Sequence, residues 1–201
     1  MILWKTNFNL NSSELEKVLR SVTTKYYSPE LSLASSFFEE DPNSRPEAIF
    51  YPEYNKIISK ALQDLGLLHR SKYFIDYWAQ VYTEKSTHRT HDHWTAMTFL
   101  SWVHFVNPVE DNCFCFLDSN ANKVFPPQSQ GDFIVFPSWA LHEARGARNR
   151  AVIAGNIMVE KMCTTATDLE DCEYTNTILK EGEILSTEEY ICPYVDWSKF
   201  L

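Results

Sequence analysis

From about residue 72 the sequence gives up helical spacing and becomes a succession of short runs suited to strands. Phe74 to Tyr82, Ala96 to Val106, Cys113 to Leu117, Asp132 to Pro137 and Ala151 to Val159 are rich in β-branched and aromatic residues and are bounded by Pro, Asn, Asp and Gly. Several short strands in succession, with helical patterns gathered at one end of the chain, predict a β-sandwich or barrel carrying a helical buttress. With 201 residues, the chain is long enough for one substantial core and short enough that a single domain spanning 1–201 is expected.

The stretches on either side of the strands have different characters. Residues 1 to about 70 read as a short strand followed by helices. Ser12-Ser13-Glu14-Leu15 opens an apolar-periodic run through Leu15, Val18, Leu19 and Val22, and Ser13 with Glu16 has the spacing of a capping box. A second helix is expected from about Tyr54 to Leu65, with Gly66 as its C-terminal cap, after a polar loop from Glu39 to Pro46. Residues 161–201 are acidic and mixed; their Tyr, Ile and Trp residues predict an extension packed on the core.

Composition narrows the function classes. A formal net charge of -9 opposes non-specific nucleic-acid binding, and Arg145, Arg148 and Arg150 form the single short basic string. The five cysteines are odd in number and form no CxxC pair, which argues against a disulfide framework or a structural zinc site and for reduced thiols in the cytosol. The amino terminus lacks the apolar stretch of a signal peptide, and no run approaches the ~20 apolar residues of a membrane-spanning helix. A cytoplasmic protein with no membrane partner is expected. A homodimer is compatible with the sequence, but nothing in it specifies one.

The histidines carry the first chemical signal. Four of six lie between residues 88 and 104, namely His88, His91, His93 and His104; His142 follows about fifty residues after the HxH pair, and His69 stands apart. On an extended strand residues i and i+2 share a face, so His91 and His93 could converge on one ion while Asp92 points away. His142 could supply a third ligand from a distant strand. Three protein ligands leave positions open for substrate or oxygen, as a catalytic metal requires. An HxH pair by itself is weak support, since most histidines are surface or hydrogen-bonded residues.

The surroundings of His142 add to it. In Gly131-Asp132-Phe133-Ile134-Val135-Phe136-Pro137-Ser138-Trp139-Ala140-Leu141-His142, a turn feeds an apolar strand, a proline ends it and a histidine follows. Eight residues on, Arg150 opens another apolar strand. An arginine there is costly unless it meets a carboxylate, which a guanidinium binds through two parallel hydrogen bonds.

This order of HxH, then G-D-x-x-x-F-P-S-x-x-x-H, then R-x-x-x-x-x-N resembles the 2-oxoglutarate/iron(II)-dependent dioxygenase superfamily. More narrowly, it is similar to small oxygenases of marine bacteria and their phages. The blocks that carry the resemblance are Trp78-Ala79-Gln80-Val81-Tyr82, His88-Arg89-Thr90-His91-Asp92-His93, Ser101-Trp102-Val103-His104-Phe105 and Phe136 to His142, within residues 74–160. The resemblance implies a double-stranded β-helix (jelly-roll) core over 72–160, with the residues 1–70 packed against it. It also implies iron(II) as the metal and 2-oxoglutarate as co-substrate. By position, His91 and His142 match metal ligands, Arg150 matches the clamp on the far carboxylate of 2-oxoglutarate, and Tyr82 and Ser101 match positions that line the co-substrate pocket. The implied reaction is oxidative decarboxylation of 2-oxoglutarate to succinate coupled to hydroxylation of a C–H bond, on a small-molecule or peptide substrate that the sequence does not name.

Two departures stand out. The best-known members have an acidic residue where this chain has His93, so either His93 completes a three-histidine site or water fills that position. A tyrosine that often touches 2-oxoglutarate is Phe105 here. Two other readings stay open. Gly131, Pro137 and His142 also suit a cupin-like three-histidine metalloenzyme that uses no 2-oxoglutarate, although the acidic ligand expected soon after HxH is missing. A non-catalytic binding protein on the same fold is the other.

Overall fold

The computed structural model describes residues 2–67, 73–94, 98–110 and 112–158. The expected acidic extension over 161–201, the end of the last strand at Val159, and His69 all lie outside the described residues.

The described chain forms two antiparallel sheets. The larger contains, in spatial order, β1 (Trp4–Asn7), β9 (Asp132–Pro137), β6 (Thr98–Asn107), β11 (Ala151–Met158), β4 (Phe74–Tyr82), β3 (Leu33–Ser35) and β2 (Tyr27–Ser28). The smaller contains β5 (Thr87–His91), β10 (His142–Arg145), β7 (Phe114–Leu117) and β8 (Lys123–Val124). The sheets face one another in a mainly β jelly-roll.

The large sheet is buried on both faces, which is why its strands read as almost continuous apolar runs and show no clean alternation. One parity of side chains, including Tyr77, Trp102, Phe133 and Ile153, packs against the helices. The other, including Trp78, Val103, Phe105, Ile134 and Val152, meets Phe114 and Phe116 of the small sheet. Phe105 therefore lies in the core between the sheets, with its ring 5.9 Å from that of Phe114.

Helix α1 (Ser12–Lys25) lays Val18 and Val22 on the large sheet. Its cap differs from the expected one: the Asn11 side chain, two residues before Ser13, accepts from the Ser13 and Glu14 amides. Asparagine is among the best N-caps, and at Asn11 its side chain reaches two orphan donors of the first turn. Helix α2 (Tyr51–Asp64) begins three residues earlier than its periodicity predicts, because Pro52 fits the first turn, where no amide proton is needed. It ends as expected: Gly66 has φ +70°, and the Leu67 amide bonds back to the Leu62 carbonyl at 2.8 Å.

The segment expected as a polar loop is more ordered than that. It contains a 3-10 turn at Pro42–Ser44 and is flanked by two more, at Ser36–Phe38 before it and Pro46–Phe50 at its end. Its buried Arg45 reaches Asp76 at 2.7 Å and the Tyr77 carbonyl at 2.6 Å, and buried Glu47 accepts from the Ser36 hydroxyl and, at 3.2 Å, from the Ala79 amide. Burial raises the Glu47 pKa, opposed by these donors. These bonds fasten the segment to β4 beside the site described next. Among the described residues no helix is long and apolar enough to cross a membrane.

Candidate metal centre

His91 closes β5 and His142 opens β10, and the register of the small sheet sets them opposite one another. His93 joins them by a different route from the one its spacing suggests. The strand stops at His91, and the His93 amide instead donates to the Ser138 carbonyl at 2.8 Å, the corner that follows β9. The three imidazoles still converge. Their ring centroids are 4.3 Å (His91–His142), 5.0 Å (His93–His142) and 5.2 Å (His91–His93) apart, and one ligand atom from each lies within 4.8 Å of the others. Asp92 is exposed and turned away, accepting from the Trp94 amide at 3.0 Å.

The partners of the rings determine which nitrogen faces the centre. His91 Nδ1 lies 2.8 Å from the Arg89 carbonyl and His142 Nδ1 lies 2.8 Å from the Ala140 carbonyl. A carbonyl oxygen only accepts, so each Nδ1 carries the proton and each Nε2 keeps its lone pair. His93 Nδ1 donates to Asn156 Oδ1 at 2.7 Å, and the same oxygen accepts from the Ser101 hydroxyl at 2.8 Å. Three imidazoles anchored through Nδ1–H, each with Nε2 free, are the arrangement in which histidine ligates a metal. Burial favours the neutral form of two of them: it pushes His142 down to about 3, with the neighbouring histidines adding to the effect and the Ala140 carbonyl opposing it, and it lowers His93 against the opposing bond to Asn156. The donor set fits a mononuclear divalent transition metal with coordination positions left open.

A narrow cleft of about 40 Å³ runs between the imidazoles and Arg150, with Tyr82, Gln80 and Phe114 on its walls. The Arg150 guanidinium is 1% exposed and stacks 4.4 Å over the Tyr82 ring. Its Nη1 reaches the Arg145 carbonyl at 3.3 Å, its Nε has no hydrogen-bond partner, and among the described residues no carboxylate lies within ion-pair distance. A buried cation without a counter-ion is costly. A ligand carboxylate entering the cleft would supply both the missing charge and an acceptor for Nε, so the residues present fit 2-oxoglutarate. The cleft shares Trp78, Gln80, His88, His91 and His93 with a wider groove.

The remaining residues sort by position. Tyr82 lines the cleft, its hydroxyl donating to Gln80 at 2.7 Å. Ser101 is fully buried behind His93, bonded to Asn156, and is not among the cleft's lining residues. His88 stands beside the centre, its ring 5.1 Å from that of His91, and burial pushes it down to about 4. His104 faces the helices on the opposite side of the large sheet. Arg145 and Arg148 are exposed, with Arg145 held by Glu110 and Asn112. Asn156 and Gln80 received no role from the sequence. The available signal was a polar side chain at an inward position of an otherwise apolar strand, for which burial demands a partner.

No family model and no curated protein matches the sequence. Solved structures do match its fold. A prolyl hydroxylase from Trichoplax adhaerens, in complex with a hypoxia inducible factor peptide fragment, aligns with TM-score 0.57 and 15% identity over 78% of this chain and 83% of that one. The viral collagen prolyl hydroxylase of Paramecium Bursaria Chlorella virus-1 aligns with TM-score 0.55 and 13% identity over 79% and 96%, and a 2OG-Fe(II) oxygenase family protein from Burkholderia pseudomallei with 0.55 and 16% over 77% and 82%. Fold and site together define a jelly-roll protein with a three-histidine metal-binding group. Its double-stranded β-helix is the fold of the 2-oxoglutarate/iron(II)-dependent dioxygenases, the superfamily its motifs resemble.

Proposed function

We propose that this protein is an iron(II)- and 2-oxoglutarate-dependent oxygenase, a hydroxylase whose metal is held by His91, His93 and His142. The observation that carries the reading is the pairing of two features in one cleft: three imidazoles with their Nε2 lone pairs unclaimed, and a buried arginine with no carboxylate partner, both among the described residues.

When bound, iron(II) would supply the oxidising chemistry with 2-oxoglutarate and dioxygen: one oxygen atom goes into succinate as carbon dioxide leaves, and the other is inserted into a substrate C–H bond. The chain's own residues position and shield. Arg150 holds the distal carboxylate and sets the direction in which the diacid lies. Tyr82 supports the guanidinium from beneath through its ring face. Asn156 and Ser101 fix the His93 ring, and Phe114, Val103 and Val152 keep water from the cleft. The all-histidine donor set also suits a metalloenzyme that uses no 2-oxoglutarate; Arg150 favours the first reading, because the second gives it no work.

The test is anaerobic reconstitution with iron(II) and 2-oxoglutarate, reading the metal-to-ligand charge-transfer band and then succinate release in air. The wild type is expected to give both. His142→Ala should abolish the band. Arg150→Lys, which keeps the charge but loses the paired bonds, should weaken 2-oxoglutarate affinity about 10- to 100-fold while iron still binds. Iron binding without a band would favour the enzyme that uses no 2-oxoglutarate. No iron binding at all would remove the enzyme reading.

A further inference from the structure

Two of the three imidazoles, His91 and His93, form with His88 the floor of a second, wider space. A groove of about 440 Å³, within the ~300–1,000 Å³ range of small-molecule sites, opens from His91 and His93 to the surface on the side away from Arg150. Its rim is unusual. Leu31, Phe37 and Phe38 are 48%, 52% and 53% exposed, three large apolar side chains on one short segment. From the rim an aromatic path leads inward: Phe37 meets Trp78 edge-on at 5.0 Å, and Trp78 lies 5.9 Å from His93.

This rim is held in place by its neighbours. The Ser35 hydroxyl accepts from the Phe37 amide, the Ser36 hydroxyl accepts from the Ala79 amide at 2.9 Å and donates to buried Glu47, and the Thr83 hydroxyl donates to the Ser32 carbonyl at 2.8 Å. Apolar side chains on an anchored segment cannot swing inward to hide from water, so they keep an apolar surface open beside the metal centre.

The lining carries no Asp, Glu, Lys or Arg among the described residues, although the whole chain has a net charge of -9. Of its polar groups, the Ser35 hydroxyl is committed to the Phe37 amide, the Asn156 carbonyl oxygen to His93 and Ser101, and the Gln80 carbonyl oxygen to the Tyr82 hydroxyl, while the histidines lie on its floor. A carboxylate, phosphate or ammonium held at the rim, among Leu31, Phe37, Phe38 and Trp78, would lose water and meet no counter-charge, since Arg150 lies in the inner cleft. A hydrocarbon surface meets favourable contacts along that rim.

We infer that the groove bounded by Leu31, Phe37, Phe38 and Trp78 is the seat of the oxidisable substrate, and that this substrate is an uncharged, predominantly hydrocarbon small molecule. The inference rests on the oxygenase reading, since that reading places the reactive centre at the groove's floor. It has a test that needs neither turnover nor metal.

Three compounds share one phenylalkyl frame and differ in charge: 4-phenylbutan-1-ol, 4-phenylbutyrate and 4-phenylbutylamine. Binding of each to the full chain carrying Arg150→Gln, which removes the cation of the inner cleft, measured by calorimetry without iron or 2-oxoglutarate, should favour the neutral alcohol at least about tenfold over both ions. Phe37→Ser and Phe38→Ser, at half-exposed positions outside both cores, should each weaken the alcohol about tenfold and leave the iron(II)/2-oxoglutarate band unchanged. Equal or tighter binding of either ion overturns the inference, as does alcohol binding that both variants leave intact. If none of the three binds while Phe37→Ser lowers the melting temperature, the chain's own residues fill the groove, and the inference is again overturned. Loss of the charge-transfer band with selective alcohol binding retained would instead count against the oxygenase reading alone.

Discussion

At the scale of single residues, the candidate metal centre depends on groups outside its three imidazoles. Asn156 accepts the His93 Nδ1 proton and so aims His93 Nε2 at the centre. Removing such a partner costs roughly 10- to 100-fold in metal affinity. Asn156→Ala is therefore expected to weaken iron(II) or cobalt(II) binding by that factor, measured against a competing chelator, with the melting temperature of the metal-free protein recorded as a check on folding. Asp92→Ala is the matched control. Its carboxylate is exposed and bonded to the Trp94 amide, so metal affinity should change by less than about twofold. A large effect of Asp92→Ala with none from Asn156→Ala would mean the strand end rearranges to place the acid at the metal. The histidines were legible as residue types at a useful spacing, and Asp92 was expected to point away. Asn156 was visible only as the last letter of a motif, because its task depends on a ring that arrives from sixty-three positions earlier in the chain.

At the scale of elements, one device ties the helices to the large sheet and a second packs that sheet's own strands. The first is His104 on β6. It is 1% exposed, its Nε2 donates to the Phe8 carbonyl at 3.0 Å, and its Nδ1 accepts from the buried Tyr54 hydroxyl of α2 at 2.9 Å. Burial pushes its pKa down to about 4, against the Phe8 carbonyl and Asp132, which act in the opposite direction. In the unfolded chain the ordinary value is about 6.5. Between those values the unfolded state binds a proton that the folded state refuses. The contribution is whole above about pH 6.5 and is lost as pH falls toward 4. Melting temperature should fall through that window, and His104→Gln should flatten the slope; an unchanged slope would show that other groups set it. The second device is Gly155 on β11. A Cβ there would lie 2.5 Å from the Asp76 carbonyl oxygen and 2.7 Å from the Trp102 ring, on a large sheet that has no room to move. Gly155→Ala should cost about 1–3 kcal/mol in chemical denaturation. The long strands β4, β6, β9 and β11 were readable because continuous apolar runs bounded by breakers have few other fates. Strands β2, β5, β8 and β10 were not, being short or partly exposed, with polar residues whose strand character comes from the neighbour they pair with.

At the scale of the whole molecule, one sheet serves two cores. Helices cover its outer face and leave its inner face to the small sheet, and the metal centre forms where that inner space narrows around polar groups. A ligand that binds only this folded arrangement must stabilise it. Iron(II) with 2-oxoglutarate, each at about 100 times its dissociation constant, should add about 2.7 kcal/mol per site under anaerobic conditions. For a chain of this size that raises the melting temperature by several degrees. Arg150→Lys should keep the metal's share of the shift and lose most of the co-substrate's. Equal shifts in wild type and variant would mean that 2-oxoglutarate does not reach Arg150.

By itself the sequence determined what local chemistry determines. Apolar runs of strand length, breakers between them and an N-terminal helical period specify a β core with a helical buttress. An HxH pair, a histidine after a proline-ended strand and an arginine opening another strand specify the chemical groups. Tertiary structure alone decided how those groups meet. The register of β5 against β10 sets His91 opposite His142, a backbone bond to Ser138 brings in His93 after its strand has ended, and the two-sheet packing buries Arg150 beyond the reach of any carboxylate among the described residues. The aromatic rim of the groove belongs to the same class, since Phe37, Phe38 and Trp78 come together only through the pairing of β3 with β4. The physical reason is distance along the chain. Spacing rules govern a few neighbouring residues, whereas burial, charge compensation and ligand geometry arise between segments that only the folded sheets bring together.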